Sequence, residues 1–220
     1  MFNSPERHPA FEEYCECIFE LHEDDLDVIQ ARIAERLQVS RASVSQMIEK
    51  MNKAGLVVAE NSRITLTVAG QNLAQQVVRR HRLAERFLTD ILGLSWADAH
   101  QEAGKWEHVI SDDVEVAMNR VLGAPTTCPH GNPIPGSSYI ATDAVPLSQL
   151  ASGTKFTVSR IPEELEFTPG LLDFLQQSSI LPGRRGEISE TNHDGTMSVV
   201  IDGNTIGVSA FASSRILVTA

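Results

Sequence analysis

"DVIQARIAERLQVSRASVSQMIEKMNKAGLV", residues 27–57, decides how this chain folds. Ala31, Ile33, Ala34 and Leu37 recur at helical spacing, a short break follows, and Ser40 stands where it can cap a second helix. That second run points Val44, Met47, Ile48 and Met51 inward and leaves Arg41, Ala42, Ser43, Ser45, Gln46 and Lys50 outside. Gly55 ends it as a C-terminal cap would. In "LVVAENSRITLT", 56–67, two short β-rich runs flank a polar turn with Arg63 near its tip, which predicts a hairpin.

Two helices joined by a turn and followed by a β-wing make a winged helix-turn-helix, whose second helix enters the major groove of DNA. Gln46 suits adenine, the serines suit base edges or phosphate, and Arg63 on the wing suits phosphate. Ser40, Arg41, Ala42, Ser43, Ser45, Gln46, Lys50 and Arg63 are therefore the expected contacts to double-stranded DNA. Charge placement agrees. The 220-residue chain has a net charge of −11, yet residues 28–82 hold nine basic side chains against three acidic ones.

Around this unit the chain reads as mainly α with a β end. A long helix is expected from about 67 to 92, stopping at Gly93; Ser95 with Asp98 makes a capping box, and Ser111 caps another helix. Residues 124–146 carry five of the ten prolines and read as a linker. Short runs such as "KFTVSRI", "MSVVI" and "RILVTA", separated by turn residues, then predict a small β-barrel. The expected domains are 1–70, 71–123, the linker 124–146 and 147–220. No apolar run is long enough for a membrane helix, "MFNSPERHPA" lacks a signal-peptide core, and three cysteines imply no disulfide framework, so a cytoplasmic protein is expected.

"GKWEHVISDDVE", 104–115, places Glu107 beside His108. At about 100° per residue, His100, Gly104, Glu107 and His108 share one helix face. His81 and Glu85 form an i, i+4 pair on the preceding helix, and Glu13 and Glu16 an i, i+3 pair on the first. Paired imidazoles and carboxylates from three helices are how divalent-metal sites are built in helical bundles. A hydrolase reading is set aside because HExxH spacing is absent. A winged-helix regulator sensing an organic ligand is the second rival. Cys128 and His130, in "CPHG", suggest a zinc knuckle but have no second pair in sequence and read as turn residues.

"ARIAERLQVSRASVSQMIEKMNKAGLV", "VVRRHRLAERFLTDILGL", "WEHVISDDVE" and "PHGNPIPG" resemble the diphtheria toxin repressor family of iron- and manganese-dependent regulators. The resemblance implies a homodimer, a helical dimerisation and metal-binding region, and a C-terminal SH3-like (FeoA-type) domain. It implies two metal sites: an ancillary one of His81, Glu85 and His100 with Glu163 and Glu166, and a primary one of Glu13, Gly104, Glu107 and His108. Manganese-type members carry a second glutamate that matches Glu16. Gly104 departs from both the iron-type cysteine and the manganese-type glutamate; a carboxylate-rich site completed by water is favoured over Cys17 as a substitute ligand. A carboxylate in place of sulfur favours Mn(II), with Fe(II) next. The expected function is a metal-dependent DNA-binding repressor, not an enzyme, acting on metal uptake and homeostasis genes; an iron-dependent regulator of the same family is the alternative.

Overall fold

A computed structural model describes residues 8–61 and 63–220. Residues 1–7, part of the stretch read as lacking a signal-peptide core, and Ser62 lie outside the described residues. Helix α1 (Pro9–Glu23) starts on proline, whose missing N–H would have had no helical partner anyway. It buries Tyr14, Cys15, Ile18 and Leu21 against α2 (Gln30–Arg36) and α3 (Arg41–Lys53), which contribute Ile33, Val44, Ile48 and Met51. Ser40 Oγ accepts from Ser43 N at 3.0 Å and caps α3, an arrangement worth about 1 kcal/mol. Strands β1 (Val57–Glu60) and β2 (Arg63–Leu66) pair antiparallel as the wing, and Ile64 N donates to Val28 O at 3.0 Å, fastening the wing to the α1–α2 connection. The winged helix-turn-helix is as expected, except that Met47 is only half-buried.

Helix α4 (Val68–Arg86) begins with Thr67 Oγ1 accepting from Gly70 N. Gly70 is required: a Cβ there would stand 2.0 Å from Leu56 O. The helix closes in a π-helical turn, Phe87–Ile91, that periodicity does not anticipate, and Gly93 at φ +74 ends it. Helix α5 (Trp96–Trp106) has the Ser95–Asp98 capping box, and α6 (Asp112–Val121) starts at Ser111. Because α5 stops at Trp106, Glu107 keeps helical angles as its C-cap while His108 lies in the following turn. The shared-face rotation therefore extends only to Glu107.

The C-terminal part is a six-stranded antiparallel sheet in the order β3-β8-β4-β5-β6-β7. Its strands are β3 (Val145–Pro146), β4 (Lys155–Arg160), β5 (Arg185–Thr191), β6 (Met197–Ile201), β7 (Asn204–Val208) and β8 (Leu217–Thr219). Helices α7 (Glu163–Glu166) and α8 (Leu171–Gln177) lie between β4 and β5, and α9 (Ala210–Ser213) precedes β8. Alternate residues Met197, Val199 and Ile201 enter the core with Phe156, Val158 and Leu165, as the period of a half-buried strand requires.

Trp96, from α5, also lies in this core, so helical and β parts are packed together. Within the proline-rich stretch read as a linker, Cys128, His130, Asn132 and Ile134 are buried. Ile161 N donates to His130 O at 2.8 Å, and the arginines of α4 donate to carbonyls of Thr127, Pro133 and Pro135.

Candidate metal centre

Helix α4 supplies the floor of the site. His81 and Glu85, one turn apart, are both buried, and His81 Nε2 lies 3.3 Å from Glu85 Oε1. From α5, His100 Nδ1 lies 3.0 Å from Glu85 Oε1 and 3.1 Å from Glu166 Oε2 of α7. The proline-rich turn adds His130, whose Nδ1 is 2.9 Å from Glu166 Oε2 and 3.6 Å from Glu85 Oε1. Glu163 completes the group beside His100 and Glu166, and Cys128 stands with Glu85 and His130. Imidazoles and carboxylates from four separate segments thus converge in one buried volume.

Among the described residues, the buried side-chain atoms with no hydrogen-bond partner are Glu16 Oε1, Glu85 Oε2, Thr89 Oγ1, both His130 nitrogens, Glu163 Oε2 and Glu166 Oε2. All but Thr89 Oγ1 belong to this neighbourhood. The His130–Glu166 approach is within ion-pair distance but is not aligned as a hydrogen bond. Orphaned buried polar atoms cost roughly 1–3 kcal/mol each, so their concentration here fits a cation held by oxygen and nitrogen.

A second string lies nearer α1. His108 Nδ1 meets Glu12 Oε2 at 2.7 Å, and His108 Nε2 is 3.2 Å from Glu107 Oε1. His81 Nδ1 meets Glu107 Oε2 at 2.5 Å, and Glu16 approaches the same pair, forming a group with His81 and Glu107.

The electrostatics follow from burial and neighbours. Burial pushes Glu16 well up, and Glu107 and Glu20 add to it. Glu163 is likewise raised, by burial and then by Glu166. Burial would raise Glu85 too, but His130 and His81 outweigh it and hold Glu85 well below the carboxylate range. Glu166 is brought to about 2, because His130 overcomes its burial. Burial opposes charge on the histidines, yet Glu85 and Glu107 hold His81 well up, and Glu166 and Glu85 raise His100 to about 10. The raised His81 and His100 thus face the lowered Glu85 and Glu166, and each favours the opposite charge on its neighbour.

Most expected ligands are brought together: His81, Glu85, His100, Glu163 and Glu166 in one group, with Glu16, Glu107 and His108 adjoining. Two are not. Glu13 faces solvent, and Glu12 takes its place against His108, because one residue is a 100° turn on α1. Gly104 is exposed, and a Cβ there would meet nothing within 4 Å. Cys17 is buried beside Glu20 and Arg36 and joins none of the ligand groups found among the described residues. His130, Cys128 and Glu12 are what sequence reasoning missed. The Cys-x-His spacing was visible, but its carboxylate partners come from α4 and α7.

The residues expected to meet DNA are exposed: Ser40, Arg41, Ala42, Ser43, Ser45, Gln46 and Lys50 at and along α3, and Arg63 on the wing. Ser40 is also occupied in capping. Among the described residues Arg63 makes an exposed 3.4 Å pair with Asp27, which a phosphate could replace at little cost. The basic window misled in part. Arg80 and Arg82 are buried in ion pairs with Asp112, Glu115, Glu23 and Glu163, so they add nothing to a DNA surface.

Comparison with known proteins gives consistent matches. The description "Iron dependent repressor, N-terminal DNA binding domain" matches residues 8–63, and "Iron dependent repressor, metal binding and dimerisation domain" matches 67–136. The iron-dependent repressor IdeR of Mycobacterium leprae is 38% identical over 205 residues, covering 88% of this chain and 89% of that protein. The diphtheria toxin repressor of Corynebacterium diphtheriae is 48% identical over 126 residues, 57% of this chain and 56% of its own. Among solved structures, a manganese-dependent transcriptional repressor in complex with manganese superposes with a TM-score of 0.86 at 32% identity, covering 96% of this chain and 99% of that one. ScaR with bound Zn2+ superposes at 0.78 with 26% identity, over 95% and 98%.

Proposed function

Since the chain belongs to the iron-dependent repressor family, we propose that it is a divalent-metal-activated repressor in which Mn(II) is the preferred ion and Fe(II) the next. The observation that carries this reading is the buried group of His81, Glu85, His100, His130, Glu163 and Glu166 with its orphaned donor atoms. An enzyme is not indicated: the family is one of DNA-binding repressors.

Two sites per chain fit the residues. The barrel-side site would use His81, Glu85 and His100 with Glu163, Glu166 and His130, and Cys128 within reach. The second would use Glu12, Glu107 and His108, with Glu16 beside them. Oxygen and imidazole without an exposed sulfur favour Mn(II) over softer ions at this second site. Relatives named as iron-dependent keep Fe(II) as the alternative.

A bound divalent ion supplies positive charge that offsets the clustered carboxylates. The rest is done by the chain. Glu12 lies on α1, and Glu107 and His108 at the end of α5, so their convergence ties the helix beneath the reading head to the dimer core. His81 and His100 give up the protons they hold, which makes activation stronger as pH rises. Exposed Ile91, Leu92, Val109, Val114, Val116 and Val121 support a homodimer formed through the helical segment. Two α3 helices would then lie about one helical turn of DNA apart, about 34–36 Å, on a palindromic operator. The working division is 1–70 for DNA reading, 71–123 for dimerisation and metal, and 147–220 for the SH3-like domain, in a protein acting in the cytoplasm on metal-uptake genes.

Titrating Mn(II) into chelator-dialysed protein at fixed ionic strength should raise operator affinity at least about tenfold, reciprocal with tighter Mn(II) binding on DNA. Unchanged operator affinity would rule the reading out.

A further inference from the structure

Helix α7 has two working sides. Glu163 and Glu166 face the metal-ligand group, and Leu165, fully buried, fixes the turn in the barrel core. The other side holds the reading head. Glu164 N donates to Asp24 Oδ2 at 3.0 Å, and Asp24 is the residue that ends α1. Asp24 is held in turn by Arg160 of β4, at 2.5 Å.

Directly after α7, Phe167 stands between two partners. Its ring meets His100 edge-on, with centroids 5.5 Å apart and planes at 88°. Its other contact is Arg36, whose guanidinium carbon lies 4.3 Å over the ring. The Arg36 side chain is only 6% exposed and, among the described residues, pairs with the carboxylate of Glu20 at 3.3 Å. Arg36 is the last residue of α2, four positions before the Ser40 cap of the recognition helix. A cavity of about 400 Å³ opens beside this contact, lined by Arg32, Arg36, Phe167, Phe211 and Arg215. The Arg36–Phe167 stack therefore borders an open space between α2 and the barrel, where the ring is a direct contact from the barrel side to α2.

We propose that Phe167 is a positioning residue: its ring, held against His100 and carried on α7, seats Arg36 and so transmits the state of the barrel-side cluster to α2 and the recognition helix. This rests on the metal reading above. The linkage runs within one chain and does not pass through Glu12, Glu107 or His108. A guanidinium partly removed from water is where a cation–π contact is strongest. Shifting Glu163 and Glu166 by a fraction of an ångström moves Phe167 with them, since all three sit on one turn.

The test uses full-length protein, Mn(II) alone as the metal, and a DNA site selected from a random pool by the wild-type protein. Phe167→Leu keeps apolar bulk at a half-exposed position but removes the ring face; Phe167→Tyr keeps it. Three quantities are read: Mn(II) affinity by calorimetry without DNA, Mn(II)-induced slowing of amide exchange over residues 30–53, and DNA affinity at saturating Mn(II). The proposal expects Phe167→Leu to bind Mn(II) within about threefold of wild type, to lose the slowing over 30–53, and to bind DNA about tenfold more weakly, the size of one such contact. Phe167→Tyr should restore both. Full Mn(II)-induced protection and DNA affinity in Phe167→Leu overturn it. Loss of Mn(II) binding in that variant also overturns it, because the ring would then serve the site and not the head. If wild-type protein itself shows no Mn(II) dependence, the metal reading falls first, and this inference with it.

Discussion

His81 reaches Glu107 with Nδ1, at 2.5 Å, while its Nε2 faces Glu85 at 3.3 Å, so a single imidazole joins the two ligand groups. A histidine that offers one nitrogen to a metal and the other to a carboxylate has its tautomer and ring plane fixed, and removing such a partner commonly costs 10–100-fold in metal affinity, by rough general experience. In His81→Ala both groups should suffer: elemental analysis should find fewer metal ions per chain, and the metal-free protein should lose about 3 kcal/mol in urea melts because Glu85 and Glu107 lose a buried partner.

Glu12 and Glu13 are adjacent but not equivalent. Glu12→Gln should weaken Mn(II)-dependent DNA binding by about 10-fold or more, whereas Glu13→Gln, on the exposed face, should stay within about twofold. Mobility-shift titrations of the two variants at equal Mn(II) decide it; equal losses would return the ligand role to Glu13.

Gly104 lies one turn before His108 with open space where a Cβ would stand. Gly104→Glu should add a carboxylate without a clash and tighten Mn(II) binding, and replacing a helical glycine should itself add up to about 1 kcal/mol to stability. Calorimetry with Mn(II) on this variant and on Gly104→Ala separates the two contributions.

The pH dependence has a definite sign. His100 is raised in the folded chain to about 10, so its stabilising contribution is complete below its ordinary pKa of 6.5 and is lost as pH rises through about 10. Glu166 is lowered to about 2, so its contribution is present above 4.5 and lost as pH falls towards about 2. In chelator, the melting temperature should therefore fall on both the alkaline and the strongly acid sides. With Mn(II) present, the alkaline loss should shrink, because the ion replaces the proton on His100.

On DNA, Gln46→Ala should cost about 1–3 kcal/mol and relax base preference, while Arg63→Ala should weaken all sequences alike and lower the salt slope by about one per half-site. Competition assays over a salt series distinguish the two. Arg80→Ala should leave the salt slope unchanged, since that side chain is buried against Asp112 and Glu115.

Helical periodicity, caps and turn residues determined the winged helix-turn-helix, the capped helices after it and the β end, because each is set by neighbours a few residues apart: Ser40 with Ser43, Ser95 with Asp98, Gly93 at positive φ. Residue types and spacing were enough to single out His81, Glu85, His100, Glu107 and His108. Tertiary packing alone decided the remainder. It chose Glu12 over Glu13, since a helix's rotation about its own axis is fixed only by what it packs against. It made ligand candidates of His130 and Cys128, whose partners lie dozens of residues away on α4 and α7, and it took Arg80 and Arg82 out of the basic surface by burying them among carboxylates.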